Sequence, residues 1–181
     1  MDTRSADGRP LAYFITWSCY GTWLHGDAKG SVDQRHNRVG DAYLPADPSR
    51  NDAERRSMDQ PCYHLDEARR KIVFETIIDQ ARYRGWALLA AHVRSTHVHV
   101  VLQAELPPER VMNILKSYAS RALNQMGVDG SDPKRWTRHG STRYLWRDDD
   151  VIQAIDYVVH KQGERMEVFE APQSRTQSRD R

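Results

Sequence analysis

The sequence predicts an α+β fold in which an antiparallel sheet carries helices packed on one face and a further helix follows near the C-terminus. Strand and helix patterns alternate in the order strand, helix, strand, strand, helix, strand, helix. Only residues 94–96 separate the two middle strand patterns, which indicates a hairpin. With 181 residues, 39% of them hydrophobic, the chain can form one domain with a real core. This order is typical of a ferredoxin-like sandwich.

Four segments rich in β-branched and aromatic residues predict the strands. In the third, Val98, Val100 and Leu102 alternate with two histidines and point toward a core. His97 and His99 therefore share the opposite face, with Cα atoms about 6.5 to 7 Å apart. The predicted strands cover residues 11–18, 86–93, 96–102 and 141–146.

Three segments have apolar residues at helical spacing. The first, residues 66–84, ends at Gly85, and the second, residues 107–126, begins with a proline pair that the first helical turn tolerates. The third, residues 151–161, follows three aspartates at 148–150, whose negative charge suits the start of a helix.

The domain prediction is one domain over residues 11–164. Within it, residues 26–61 are polar and rich in Gly, Asn and Pro, and we expect a long loop insertion there. Residues 1–10 and the polar tail 165–181 are expected to be disordered. Two cysteines are too few for a disulfide framework, and no apolar run is long enough for a signal peptide or a membrane span. We expect a cytoplasmic protein without membrane association.

Basic and aromatic residues are interleaved in residues 134–147, which contain no acidic residue. Cations for phosphates and flat rings for bases are what a protein that binds single-stranded nucleic acid needs. The net charge is only +2, so this local clustering carries the prediction. The alternative is a solvated loop whose aromatic residues anchor it to the core.

The histidine pair suggests metal chemistry, because two imidazoles on one rigid face can share a cation. A third ligand would have to come from elsewhere in the chain, and the alternative is two histidines that simply face solvent. A zinc site is a further alternative, but the spacing of its four candidate ligands matches no compact zinc pattern. Those candidates are Cys19, His25, Cys62 and His64.

Two helical tyrosines compete as a nucleophile. Tyr118 lies within the apolar stripe of its helix, which favours a role in core packing. Tyr157 projects about 150° away from the mean direction of the apolar residues on the third helix. A tyrosine away from the core face is the better candidate, although an ordinary exposed tyrosine is the alternative.

These motifs together resemble the single-tyrosine HUH transposases, and within them the branch related to REP-associated tyrosine transposases. The resemblance spans residues 11–164 in the order of that family. A His-hydrophobic-His triplet alone is a weak signal, but it gains specificity from the helical tyrosine that follows at this distance. The matching segments are residues 14–24, 97–99, 115–124, 136–146 and 151–159 with the pair Gln162-Gly163.

The resemblance implies a ferredoxin-like enzyme that cuts single-stranded, hairpin-associated DNA through a 5′-phosphotyrosine. It makes His97 and His99 ligands of Mg²⁺ or Mn²⁺ and Tyr157 the nucleophile. The family often has a Gln or Asn ligand four residues after the tyrosine, where this chain has Lys161, which cannot ligate a metal when protonated. Gln162 is therefore favoured as the third ligand, with His160 as the alternative.

Charge and helix face suggest further basic residues that contact DNA phosphates. The resemblance also allows a homodimer, with the tyrosine helix of one chain beside the histidines of the other, or a site within one chain, and both stay open. The predicted phosphate contacts are Arg110, Lys116, Arg121, Arg138 and Arg143.

The main rival function is a non-catalytic module that binds single-stranded nucleic acid through the same sheet and basic segment. A histidine-triad nucleotide hydrolase would need another histidine at position 101, which is Val101. A two-histidine phosphoesterase would need His-x-Thr or His-x-Ser twice in strands, and no such pair is found.

Overall fold

Five strands and four helices form the described part of the chain, which is residues 8–23 and 48–172 of a computed structural model. The strands are β1 (Ala12–Ser18), β2 (Ala87–Val93), β3 (His97–Gln103), β4 (Ser141–Leu145) and β5 (Glu167–Glu170). The helices are α1 (Pro48–Arg56), α2 (Glu67–Tyr83), α3 (Pro108–Gln125) and α4 (Asp148–His160). None of the described helices is long and apolar enough to span a membrane.

The strands form one sheet in the order β4-β1-β3-β2-β5, and every neighbouring pair is antiparallel. β3 lies at its centre between β1 and β2, while α2 and α3 connect β1 to β2 and β3 to β4. This is the split β-α-β arrangement of a ferredoxin-like sandwich with one strand added at the β2 edge. The α+β class and the antiparallel sheet agree with the sequence prediction.

Local sequence explains where α2 begins and ends. The Asp66 side chain accepts a hydrogen bond from the Arg69 backbone N–H at 2.9 Å and so caps the helix N-terminus. Gly85 follows the helix with a φ of +68°, a left-handed conformation that glycine adopts without a Cβ clash. The chain can therefore turn sharply into β2.

The two faces of the sheet bury different cores. Ile15, Trp17 and Val100 belong to the larger core, which α2 and α3 cover. Phe14 and Val101 point the other way and belong to a smaller core covered by α4. The predicted helical face therefore holds for α2 and α3, whereas the C-terminal helix packs on the opposite face. It does so because apolar residues also occur on that side of β1 and β3.

The prediction of a disordered tail at 165–181 is wrong for residues 165–172. β5 pairs with β2, Val168 packs against the smaller core, and Phe169 packs against the larger one. Arg70 on α2 also pairs with Glu167 at 2.6 Å. A four-residue strand is too short to produce a recognisable sequence pattern, and its stability comes from these tertiary contacts. Residues 173–181 lie outside the described residues.

The predicted loop insertion at 26–61 contains helix α1, so that prediction is wrong for Pro48–Arg56. The helix has no apolar stripe that sequence periodicity could reveal. Residues 24–47 lie outside the described residues, as do residues 1–7 of the predicted disordered N-terminus. After α1 the chain returns to the sheet, where the Leu65 N–H donates to Ser95 O at 2.8 Å. Cys19 and Cys62 are both free thiols.

A buried ionic cluster attaches the start of the basic segment, residues 134–147, to α2. The Asp129 carboxylate accepts hydrogen bonds from Arg69 Nη2 at 2.8 Å, from Arg135 Nη2 at 2.7 Å and from the Tyr63 hydroxyl at 2.9 Å. The side chains of Asp129 and Arg135 are only 9% and 4% exposed. Burial opposes ionisation of Asp129, but these hydrogen bonds outweigh it and hold the pKa of the carboxyl below its usual value.

Replacing Asp129 with asparagine is expected to lower the free energy of unfolding by about 3 kcal/mol, because two guanidinium groups lose their buried counter-charge. The exposed Asp132→Asn is the matched control, with an expected change within about 0.5 kcal/mol. Since the native pKa of Asp129 is depressed, its contribution is present above about pH 4 and disappears as pH falls through the native pKa. Urea unfolding at several pH values measures both effects, and equal losses in the two variants would contradict the prediction.

Candidate active site

The two histidines of β3 lie side by side on the face that α4 partly covers. Their ring centroids are 4.8 Å apart, and His99 is only 6% exposed. Val98 and Val100, which alternate with them, are fully buried on the opposite face. The alternation predicted from the sequence therefore holds, and the strand presents both imidazoles in one direction.

A threonine hydroxyl contacts the Nδ1 atom of each histidine. Thr16 Oγ1 lies 2.8 Å from His99 Nδ1, and Thr96 Oγ1 lies 2.9 Å from His97 Nδ1. Thr16 stands directly opposite His99 in the β1–β3 register. Because Nδ1 is used in both rings, Nε2 is the nitrogen that would coordinate a cation. A hydroxyl can donate to Nδ1 or accept from it, so it suits either tautomer.

Burial, together with the charge of the neighbouring His97, lowers the pKa of His99 to about 3. The His99 ring is therefore neutral at physiological pH. A neutral imidazole is the form that ligates a metal.

Gln162 reaches the same histidine from the turn after α4. Its Oε1 atom lies 3.0 Å from His99 Nε2, and its Nε2 atom donates to Tyr157 O at 3.3 Å. Gly163 follows with a φ of +77°, which favours glycine and lets the chain leave the helix at this point. Arg94 Nη1 holds the far side of the turn by donating to Glu164 O at 2.7 Å.

His99 and Gln162 bring a ring nitrogen and an amide oxygen together. His99 Nε2 and Gln162 Oε1 are 3.0 Å apart, which is a hydrogen-bond distance. Within residues 8–23 and 48–172, no three His, Cys, Asp or Glu side chains are grouped so that they could hold a metal. A metal at the histidine pair would have Gln162 Oε1 as an oxygen ligand beside His99 Nε2.

Tyr157 lies beside this group with its ring partly open to solvent. The residue is 43% exposed, and its ring centroid is 5.8 Å from that of His99 and 6.0 Å from that of Phe14. Ala154 and Val158 on the same helix are buried against the sheet. α4 thus packs through one side and leaves the tyrosine next to the histidines of its own chain.

The other candidates for the nucleophile and for the third metal ligand lie outside this group of residues. Tyr118 is half-buried on α3, on the other side of the sheet, between the guanidinium groups of Arg84 and Arg121. His160 is exposed at the end of α4, and Lys161 Nζ pairs with Asp156 at 2.6 Å. Of the two candidates for a third ligand, the structure brings Gln162 into contact with His99.

Of the five predicted phosphate contacts, the structure brings Arg143 next to Phe14, whose ring contacts Tyr157. Arg143 on β4 stands opposite Phe14, and its guanidinium lies 6.0 Å from the Phe14 ring centroid. Arg138 is exposed in the loop that reaches the end of β1, where the Thr137 N–H donates to Ser18 O at 3.0 Å. Arg110 and Arg121 lie on α3, on the opposite side of the sheet.

The prediction that Lys116 contacts phosphate is wrong, because the side chain is buried. It is 7% exposed, and its Nζ atom donates to Thr137 O at 3.0 Å and to His139 O at 3.1 Å. Burial lowers its pKa to about 8. Lys116 therefore anchors the basic segment to α3. Helix periodicity could not reveal this, because a loop about twenty residues away covers that side of the helix.

Sequence reasoning missed Thr16, Phe14 and Arg94. Phe14 contacts the rings of both His99 and Tyr157, and Thr16 contacts His99 directly. The alternation of residues in β1 was a usable signal, because in a sheet that pairs β1 with β3 the residues of β1 that point away from the larger core must line the histidine face. Naming these residues also requires the β1–β3 pairing and its register, which depend on the tertiary fold.

The fold and the site define an α+β protein in which a His-x-His strand lies beside a helical tyrosine. No protein-family model and no curated protein matches the chain. Among solved structures, a REP-associated tyrosine transposase bound to a REP hairpin is similar, with 11% sequence identity and a TM-score of 0.44. The similarity covers 88% of this chain and 67% of that one.

Proposed function

We propose that this chain is a transposase-like enzyme that nicks and joins single-stranded DNA with a divalent metal. One observation carries the proposal: Tyr157 lies against His99, and Gln162, from the turn that ends the same helix, reaches the same histidine. A potential nucleophile and a potential metal-binding group are thus held together by one strand and one helix of a single chain.

His97 Nε2, His99 Nε2 and Gln162 Oε1 would hold the cation. The amide oxygen suits Mg²⁺ or Mn²⁺, the cations that the family resemblance implies, while the two imidazole nitrogens are softer ligands than the oxygen donors these cations prefer. When bound, such a cation polarises a phosphodiester and stabilises negative charge on its oxygens. Thr16 and Thr96 fix the ring orientations through Nδ1, so the strand itself aims both Nε2 atoms.

Tyr157 would attack the phosphorus with its hydroxyl oxygen. A bond forms between that oxygen and phosphorus, the bond from phosphorus to the 3′ oxygen breaks, and the leaving oxygen takes up a proton while the tyrosine loses one. The products are a 5′-phosphotyrosine and a free 3′-OH. A second 3′-OH can reverse the attack and join strands, because the covalent intermediate keeps the phosphodiester bond energy.

Arg143 is the residue best placed to orient the DNA backbone. It is exposed, lies on the histidine face of the sheet edge, and stands next to Phe14, which contacts Tyr157. A guanidinium at this position can hold a phosphate through two parallel hydrogen bonds. The backbone of a bound strand is therefore expected to cross the sheet beside Tyr157.

The test is a covalent adduct assay on the wild-type protein. A pool of oligonucleotides, each with a hairpin stem and a randomised single-stranded flank, is labelled at either end and incubated with Mn²⁺ or with a chelator. We expect a metal-dependent adduct on a denaturing gel that carries the 3′-end label, whereas the 5′-end label appears in a shorter free product. Fully duplex DNA of the same pool is the matched control.

Tight binding of the pool without any adduct would contradict the proposal. That result would favour the rival function of a non-catalytic single-strand binding module. An adduct that carries the 5′-end label would also contradict it, since that label requires attachment to the 3′ phosphate.

A further inference from the structure

Two exposed aromatic rings lie at the β4 edge of the sheet. Tyr144 on β4 and Trp146 just after it are 44% and 43% exposed. Their ring centroids are 6.2 Å apart and their planes meet at 15°. At this separation the rings are offset, so each leaves part of its face uncovered.

The third aromatic residue of the basic segment, Trp136, is used differently. Its Nε1 atom donates to Ser120 Oγ at 2.9 Å, and its ring packs edge-on against Trp17 at 6.2 Å. Trp136 therefore anchors the segment to the larger core. Trp136 thus has a packing role, whereas the rings of Tyr144 and Trp146 stay exposed at the surface.

We infer that Tyr144 and Trp146 form a stacking site for an unpaired nucleobase of the bound DNA strand, an inference that rests on the proposed function. Aromatic rings bind bases of any identity through their π faces. Tyr13 packs edge-on against Tyr144 at 5.2 Å and holds that ring in place, so little side-chain entropy is lost when a base binds.

The charges around β4 indicate which face of the sheet the backbone of a bound DNA strand would follow. Arg143 points to the histidine face, whereas Thr142 and Tyr144 point to the other face. On that second face, Thr142 donates to the Glu109 carboxylate at 2.6 Å, and a carboxylate disfavours phosphate there. The DNA backbone is therefore expected to follow Arg143 while a base turns over the sheet edge toward the rings.

The position of β4 makes this path accessible. β4 is the last strand of the sheet on its side and pairs only with β1 among the described strands. Tyr144 stands opposite Tyr13 in the register, next to the Phe14–Arg143 pair. One residue along a strand is about 3.3 Å, so a base at the rings is expected to belong to a nucleotide close to the phosphate that Arg143 holds.

The experiment measures the affinity of hairpin oligonucleotides selected with the wild-type protein, by fluorescence anisotropy. One abasic nucleotide is placed at each flank position in turn. In the wild type, one abasic position near the cleaved bond is expected to weaken binding about 5- to 150-fold. Trp146→Ala and Tyr144→Ala are expected to weaken binding of the intact oligonucleotide to a similar degree and to be insensitive to that abasic position.

Two controls separate the site from general effects. Tyr83→Ala removes an 80% exposed tyrosine at the end of α2 and is expected to leave the affinity and the abasic profile unchanged. Trp146→Phe keeps an aromatic face and is expected to stay within about threefold of the wild type. Circular dichroism melting verifies that each variant is folded.

The outcomes distinguish this inference from the proposed function. An unchanged affinity and abasic profile in Trp146→Ala and Tyr144→Ala, with adduct formation intact, would overturn the stacking site alone. The expected loss in both variants, without any adduct in the wild type, would support the stacking site and overturn the enzymatic function. A wild-type protein that binds no single-stranded oligonucleotide would overturn both.

Discussion

Replacing Tyr157 with phenylalanine is expected to abolish the covalent protein–DNA adduct completely. The substitution removes one oxygen atom, which is the atom that would attack phosphorus, and keeps the ring that packs beside Phe14 and His99. Because the residue is 43% exposed and the substitution keeps its ring, the free energy of unfolding should change by less than about 0.5 kcal/mol. Affinity for the oligonucleotide should stay within about threefold, since phosphate and base contacts carry binding.

Tyr118→Phe is the matched control, because it makes the same chemical change on a helix at the other side of the sheet. Tyr118 lies between two guanidinium groups, and this ring contact survives the loss of the hydroxyl. Adduct formation should therefore equal that of the wild type. An adduct that persists in Tyr157→Phe and disappears in Tyr118→Phe would move the nucleophile to α3.

Alternation along a strand is sufficient to predict that the His97 and His99 side chains point together, because a strand has a period of two. Helical angles alone place Tyr157 less well, because its ring lies against Phe14 and His99 of the sheet while Ile152, one of the apolar residues used to define the buried side, is exposed.

Periodicity cannot place Gln162, because the residue lies beyond the end of α4. Only the Gln-Gly pair and the family resemblance favour it as the third ligand. The contact between Gln162 and His99 depends on the turn at Gly163, which the sequence allows without specifying.

Contacts between distant segments were not predictable in the same way. Lys116 has the sequence character of a surface cation, and only the course of residues 137–139 over α3 makes it a buried anchor. β5 likewise has no recognisable sequence pattern, yet its pairing with β2 fixes the position of the chain a few residues after Gln162. The hydrogen bond from the Met166 N–H to His92 Nε2 at 3.3 Å attaches the same region to the sheet. The strand predicted to be disordered thus supports the turn that carries the proposed third ligand.

Removing the imidazole of His99 is expected to have the largest effect on metal binding. His99→Ala deletes a side chain that contacts Thr16, Gln162 and the Tyr157 ring, and it removes one of the two proposed imidazole ligands. Mn²⁺ affinity, measured by electron paramagnetic resonance without DNA, should fall at least about 100-fold. The rate of adduct formation should fall about 10³-fold, the scale of a lost Lewis acid.

The control for His99→Ala is the exposed His64→Ala, which should retain Mn²⁺ affinity and adduct rate. Thr16→Val gives an intermediate test, because it removes only the hydroxyl at His99 Nδ1 and preserves the shape of the side chain. A partner of this kind is worth about 10- to 100-fold in metal affinity. Mn²⁺ affinity is therefore expected to fall from the wild type to Thr16→Val and again to His99→Ala. This result would identify His99 Nε2 as a ligand. Equal Mn²⁺ affinity in all three proteins, with each folded by circular dichroism, would place the metal elsewhere and leave the histidine pair with a packing role only.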